Sequence, residues 1–137
     1  MGDFRTGGPK GKNDFERLLA ERFPSVAAQI DESERDLLHL EMAVLARVTC
    51  RAIDFAEFEE VQLHLGFVDE LLSNAAPDLE NAIYVSYLEN VFLGLEDRRY
   101  LTARGMLSGR MQTALAELED HWGKVAKWTK QRQDSPS

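Results

Sequence analysis

The side chains best suited to chemistry in this chain are three histidines, each preceded by a carboxylate at helical spacing: Asp36 with His39, Glu60 with His64, and Glu117 with His121. Asp36 and His39 have the i, i+3 spacing of helical di-iron sites. Such a site needs a second motif of the same kind and two more inward carboxylates, and the sequence offers a single motif. The other two pairs are four residues apart and read as ordinary surface pairs, and there is no HExxH arrangement for zinc. The sequence therefore predicts no metal site and no cofactor. Cys50 lies in the apolar stretch Val48 to Ala52, where cysteine packs as a small hydrophobe, although His39 or His64 could approach it in space. Ser33, Ser73, Ser86 and Ser108 lack the context of a nucleophile elbow. Tyr84, Tyr87 and Glu89 could do acid-base work on one helix. With no second catalytic group in a defined relation to them, the preferred reading is two buried rings and a local hydrogen bond, and no catalytic residue is predicted.

The element that must carry that trio is Asp78 to Leu95, DLENAIYVSYLENVFLGL, the longest run that is apolar on more than one face. At 100° per residue Tyr84, Val85, Leu88, Val91, Phe92 and Leu95 form one arc, widened by Ile83 and Tyr87, while Ser86, Glu89 and Asn90 gather opposite. A helix that is apolar over most of its circumference needs several neighbours to cover it. Those neighbours are legible too. A first helix runs from Asn13 or Asp14 to Arg22 with Phe15, Leu18, Leu19 and Phe23 inward, ended by Pro24, and Val26, Ala27 and Ile30 suggest a further turn. Ser33 with Asp36 opens a second helix, 33–52, on Leu37, Leu38, Leu40, Val44, Leu45 and Val48. Asp54 with Glu57 reads as a capping box for a third, 55–73, striped by Phe58, Val61, Leu65, Val68, Leu71 and Leu72. After the central helix come a short helix over 98–106, a break at Gly105, Ser108 and Gly109, and a last amphipathic helix through Met111, Leu115, Leu118, Trp122 and Val125 whose end frays from Lys124.

No period-two alternation is sustained, so the predicted fold class is all-α: a single-domain bundle or stack of helical hairpins, five to six helices around the central helix 78–95. At 137 residues, 44% of them apolar, the chain can bury a core without disulfides or metal. The expected organisation is a flexible arm at 1–12, rich in Gly and Pro, a helical domain at 13–128, and a flexible tail at 129–137. A single cysteine and no opening signal segment predict a reducing, cytoplasmic location, and no apolar run reaches the roughly 18 residues that span a bilayer.

Charge is the strongest functional signal. The first 12 residues carry +2 and residues 122–137 carry +3, so with a total of −8 the body between them holds −13. From Asp31 to Asp97 sixteen acidic residues face Arg35, Arg47 and Arg51, and every lysine lies in the two ends. Such a field repels nucleic acid and anionic membranes and attracts basic partners. The plainer reading is that these acids solvate the outer faces of helices.

The stretches AERFPSV, HLEMAVLARV, FVDELLS, NAIYVSYLENVF and MLSGRMQTALAELEDHW, spanning Phe15 to Trp122, together resemble a family of small, acidic, all-helical bacterial proteins, some of which resemble immunity proteins of polymorphic toxin systems. The shared pattern is Asn81, an apolar run, Leu88, Glu89 and Asn90, then a turn at Leu107, Ser108 and Gly109 and a helix ending at Trp122. These are packing motifs. The resemblance implies a non-enzymatic antidote that occludes a cognate toxin domain with a basic cleft, and the charge count agrees. The residues expected to meet that partner are Glu57, Glu59, Glu60, Asp69, Glu70, Glu96 and Asp97. Two alternatives stay open: a regulatory or scaffold module that holds a partner helix in a groove, and a small-ligand pocket beside Tyr84, Tyr87 and Glu89. The oligomeric state is left open.

Overall fold

The computed structural model describes residues 9–35, 37–93 and 97–133, with side chains as far as Lys124. Regular structure in this range is helical, apart from one isolated bridge between Lys10 and Ala75. The fold class is all-α, and no helix among the described residues is long and apolar enough to cross a membrane.

Helix α1, Lys12–Arg22, opens with the Asp14 carboxylate accepting the Gly11 N–H at 3.0 Å, which satisfies one of the amides a helix start leaves without a partner. Phe15 and Leu19, four apart, are its buried pair. The chain just before it is held by two backbone hydrogen bonds: the Lys10 N–H donates to the Asn74 carbonyl, and the Ala76 N–H donates to the Lys10 carbonyl, both at 2.7 Å. Pro24 bends the chain into the short α2, Pro24–Ala27, because it has no N–H to donate and keeps Phe23 out of helical geometry.

The helix expected from Ser33 begins later, at Leu38. The Asp31 carboxylate takes hydrogen bonds from the Ser33 N–H, the Ser33 hydroxyl and the Glu34 N–H, and so folds 31–34 into a turn rather than a helix start. Asp36, the other half of the expected cap, lies outside the described residues. Helix α3, Leu38–Asp54, buries Leu38, Met42, Leu45, Thr49, Ala52 and Ile53 at helical spacing. Leu37 and Leu40, expected inward, are exposed by 51% and 45%. Leu37 precedes the helix as its N-cap, and Leu40 lies about 200° around the axis from Leu38.

The third helix also starts differently from its predicted capping box. Asp54 is the last residue of α3, and Glu57 is the N-cap of α4, Phe58–Leu72. Between them the Ala56 N–H donates to the Ile53 carbonyl and the Glu57 N–H to the Ala52 carbonyl, the paired bonds of a Schellman ending. Ala56 occupies the left-handed position with φ 56°, which glycine usually fills.

The central helix has three parts: α5, Pro77–Ala82, a π-helical segment, Ile83–Leu88, and α6, Glu89–Phe92. The buried positions explain the break. Leu79, Ala82, Ile83, Ser86 and Tyr87 follow the α-helical spacing, which then calls for position 90, but the next buried residues are Leu88, Val91 and Phe92. The apolar pattern carries one extra residue, and a hydrogen bond from the Glu89 N–H to the Tyr84 carbonyl, five residues back, absorbs it. This turn overrides the uniform 100° wheel: Val85 is outside and Ser86 inside, the reverse of the expected arc. The central helix stops at Phe92, where Leu93 turns extended, short of the expected end at Leu95, a residue outside the described range.

Helix α7, Arg98–Arg104, and helix α8, Gly109–Gln133, complete the fold, and the α8 backbone stays helical beyond Lys124. The π segment packs most extensively on α3 and also meets α8, so it lies within the core. Burying a leucine or phenylalanine contributes about 1.5–3 kcal/mol, against about 0–1 kcal/mol for an exposed ion pair such as Arg22–Glu70. Burial therefore sets the arrangement of helices, and the ion pairs trim its edges.

Candidate functional site

The tight α3–α4 corner places Ala56, Glu57, Phe58, Glu59 and Glu60 around an open cleft of about 570 Å³. The Schellman turn turns the backbone sharply before α4, so the cap residue Glu57 and the first-turn residues Glu59 and Glu60 project from one helix start. Glu57 and Glu59 have no ion-pair partner among the described residues, and their carboxylates are favourably placed at the positive end of the α4 dipole. Two large apolar side chains border the acids: Phe55 is 67% exposed, and Leu63, one turn along α4, is 60% exposed.

Asp69, Glu70 and Asp97, also expected to meet a partner, have duties inside the molecule. Asp69 accepts the Ser108 hydroxyl at 2.7 Å and an Arg110 guanidinium N–H at 3.2 Å, which ties α4 to the start of α8. Glu70 pairs with Arg22, whose guanidinium also sits 5.1 Å from the Phe67 ring centre, and the hydrogen bond from Arg22 holds the Glu70 carboxyl below its usual range. Asp97 accepts the Arg99 N–H at 2.9 Å as the cap of α7. Glu96 lies outside the described residues. Of the six expected acids among the described residues, Glu57, Glu59 and Glu60 come together at one helix start, while Asp69, Glu70 and Asp97 are engaged elsewhere.

Glu60 leads inward, and this the sequence reading missed. His64, expected in a surface pair, is fully buried. Its Nε2 is 3.1 Å from a Glu60 carboxylate oxygen, and its Nδ1 is 3.0 Å from the Thr49 hydroxyl, which in turn lies 2.9 Å from the Tyr87 hydroxyl. Four side chains from α3, α4 and the π segment make one continuous polar chain through the core. The Phe23 ring stands nearly perpendicular to the imidazole, 5.0 Å away between ring centres. Burial lowers the His64 pKa while Glu60 opposes that shift, and burial also pushes the Tyr87 phenol up, so Tyr87 stays protonated. The signal was available: His64 falls on the same stripe as Val61, Leu65 and Val68, at i+3 from Val61.

The remaining chemical candidates do not converge. His39 Nδ1 contacts the Ser86 hydroxyl at 2.8 Å, and Asn90 donates its side-chain amide to the Ser86 carbonyl inside the π segment. Tyr84 donates to Glu117 on α8, whereas Tyr87 points to Thr49 on α3, so the two phenols serve different neighbours. Cys50 is half-buried with its thiol directed to the Asn90 carbonyl, and burial raises its pKa, which disfavours a thiolate nucleophile. Among the described residues no group of three or more His, Cys, Asp or Glu side chains is placed to hold a metal ion.

Residues 16–123 match a protein-family model described as Domain of unknown function (DUF7674). The chain belongs to that family. Neither the curated proteins nor the solved structures gave a match. The matched span covers the helical body from α1 to the exposed part of α8 and includes both the acidic corner and the Glu60–His64–Thr49–Tyr87 chain.

Proposed function

We propose that this chain is a non-enzymatic binding protein that captures a basic protein domain at the α3–α4 corner, in the manner of an immunity protein that occludes a cognate toxin. The observation that carries the reading is the cleft lined by Glu57, Glu59 and Glu60, whose acids stand beside exposed Phe55 and Leu63. A buried aromatic or aliphatic anchor ringed by complementary charge is how protein interfaces gain both affinity and rapid association. The −13 charge of the body steers a basic partner toward it.

The test uses the product of the adjacent gene as the partner, with binding rates measured at low and high salt. Glu57→Lys with Glu59→Lys should slow association at low salt, and Phe55→Ala should speed dissociation, both with the helical spectrum retained. Glu60 is left unchanged in that variant because its carboxylate serves His64. Unchanged kinetics in both variants would move the interface elsewhere, and a neighbour that neither binds nor harms cells would end the immunity reading. A second reading, groove capture of a partner helix, is favoured by the cleft of about 460 Å³ between α7 and α8, where Leu101 is exposed beside Arg104 and Ala116. That mode would survive high salt.

A further inference from the structure

The polar chain beneath the corner can be satisfied in two protonation states without moving a heavy atom. With His64 neutral and its proton on Nε2, every donor runs in one direction: the Tyr87 hydroxyl donates to Thr49, the Thr49 hydroxyl donates to Nδ1, and Nε2–H donates to Glu60. With His64 charged, Nδ1 also carries a proton and must donate to the Thr49 oxygen. The Thr49 hydroxyl then turns to the Leu45 carbonyl, 3.0 Å away, while Tyr87 continues to donate to Thr49. A threonine hydroxyl can accept two hydrogen bonds and donate one, so no group is stranded in either state. The added proton comes from solvent, one N–H bond forms, and no other covalent bond changes.

We propose that Glu60, His64, Thr49 and Tyr87 form a proton-responsive relay in which His64 takes up a proton inside the folded core and cancels the charge that Glu60 presents to the cleft. The geometry links an open end to a closed one. The Glu60 side chain is 48% exposed and lines the cleft, whereas His64, Thr49 and Tyr87 are fully buried. The titratable groups facing the imidazole are Glu60 on its own helix and, across Thr49, Tyr87 of the π segment with Cys50 of α3 beside the phenol; the junction between α1 and α2 contributes the apolar ring of Phe23. Because this proposal rests on the reading of the corner as a site for a basic partner, it carries a sign. Mild acid converts the His64–Glu60 hydrogen bond into an ion pair, reduces the negative field of the cleft and weakens capture. By linkage, a cation bound at Glu60 makes His64 harder to protonate.

The experiment follows the imidazole nitrogens of the free full-length chain by NMR from alkaline to acidic pH, with near-ultraviolet circular dichroism as the check on packing. Resonances are assigned with His39→Gln and His121→Gln. The expected result is an Nε2–H tautomer at high pH and a reversible His64 titration below the usual 6.5 with the tertiary spectrum retained. Glu60→Gln should move that midpoint down by about half a pH unit or more, since an opposite charge favours the imidazolium. Thr49→Ser should keep the midpoint, and Thr49→Val should lower it because Nδ1–H loses its acceptor. A His64 that stays neutral until the tertiary spectrum collapses, or a midpoint indifferent to Glu60→Gln, overturns the relay. Hexalysine then probes the corner: its binding at the amides of 56–60 should weaken several-fold across the His64 titration. Equal binding on both sides overturns the charge cancellation, whereas no binding at any pH sinks the corner reading and leaves the imidazole titration to judge the relay.

Discussion

Tyr87 and Leu88 are consecutive in the chain and both fully buried, one with its hydroxyl on Thr49 and the other continuing the stripe of Val91 and Phe92. The π turn between Tyr84 and Glu89 is what allows the stripe to restart one residue late. Deleting Val85, which is 43% exposed, removes the surplus residue and restores an uninterrupted α-helical spacing of inward positions. The deletion variant is expected to fold cooperatively in a urea titration while losing the His39–Ser86 contact. A variant that fails to fold would show that the π turn is required and not merely accommodated.

Substitutions on the two faces should separate clearly. Leu88→Ala leaves a cavity in a fully buried site and is expected to cost about 2–5 kcal/mol. Glu59→Ala, on the exposed start of α4, should stay within about 0.5 kcal/mol. Urea midpoints that place the two together would contradict the burial described here.

Ala56 holds a left-handed backbone conformation at the α3–α4 turn, where a β-carbon is unfavourable. Ala56→Gly is expected to raise stability by about 1 kcal/mol and to leave the cleft acids in place. A lower denaturation midpoint in the glycine variant would mean that unfolded-chain entropy outweighs the relieved strain.

The lowered pKa of His64 makes stability depend on pH with a defined sign. Above its unfolded value of 6.5 the imidazole is neutral in both states, and the contribution is complete. As pH falls from 6.5 toward the folded value, the unfolded chain binds the proton first, so stability falls by up to about 1.4 kcal/mol per pH unit and then levels off. Denaturation midpoints of the wild type and of His64→Gln, compared at neutral pH and near pH 5.5, should show a steeper acid loss in the wild type. Parallel losses would assign the pH dependence to other groups.

Cys50 is half-buried and its thiol is pushed above the ordinary pKa range by burial. It should therefore react with iodoacetamide near pH 7.5 more slowly than free cysteine does, since only the thiolate attacks. Labelling as fast as the free amino acid would mean that the contact between the Cys50 thiol and the Asn90 carbonyl opens readily.

Much of the architecture was legible because helix burial is periodic. Phe15 and Leu19 on α1, Val61, Leu65 and Val68 on α4, and Met111, Leu115 and Leu118 on α8 lie where their spacing puts them. The helix starts were less so, since each depends on the turn that the chain makes just before it. Asp31 rather than Ser33 organises the turn before α3, and α4 starts after Glu57 at the N-cap position with no side-chain cap from Glu57. The candidate site was half legible: the acids at 57, 59 and 60 were visible as charge, but their separation from Asp69, Glu70 and Asp97 depends on arginines, a serine and a backbone amide elsewhere in the chain.

By itself the sequence determined the fold class, the acidic body and the choice of inward stripes, because helical propensity, charge and local periodicity are properties of neighbouring residues. Only the tertiary structure decided that Thr49, His64 and Tyr87, 15 and 38 residues apart from Thr49, meet in one hydrogen-bonded chain. A buried histidine or threonine must find its partner across the core, where an unsatisfied polar group costs about 1–3 kcal/mol. Which partner it finds depends on how α3, α4 and the central helix pack against one another.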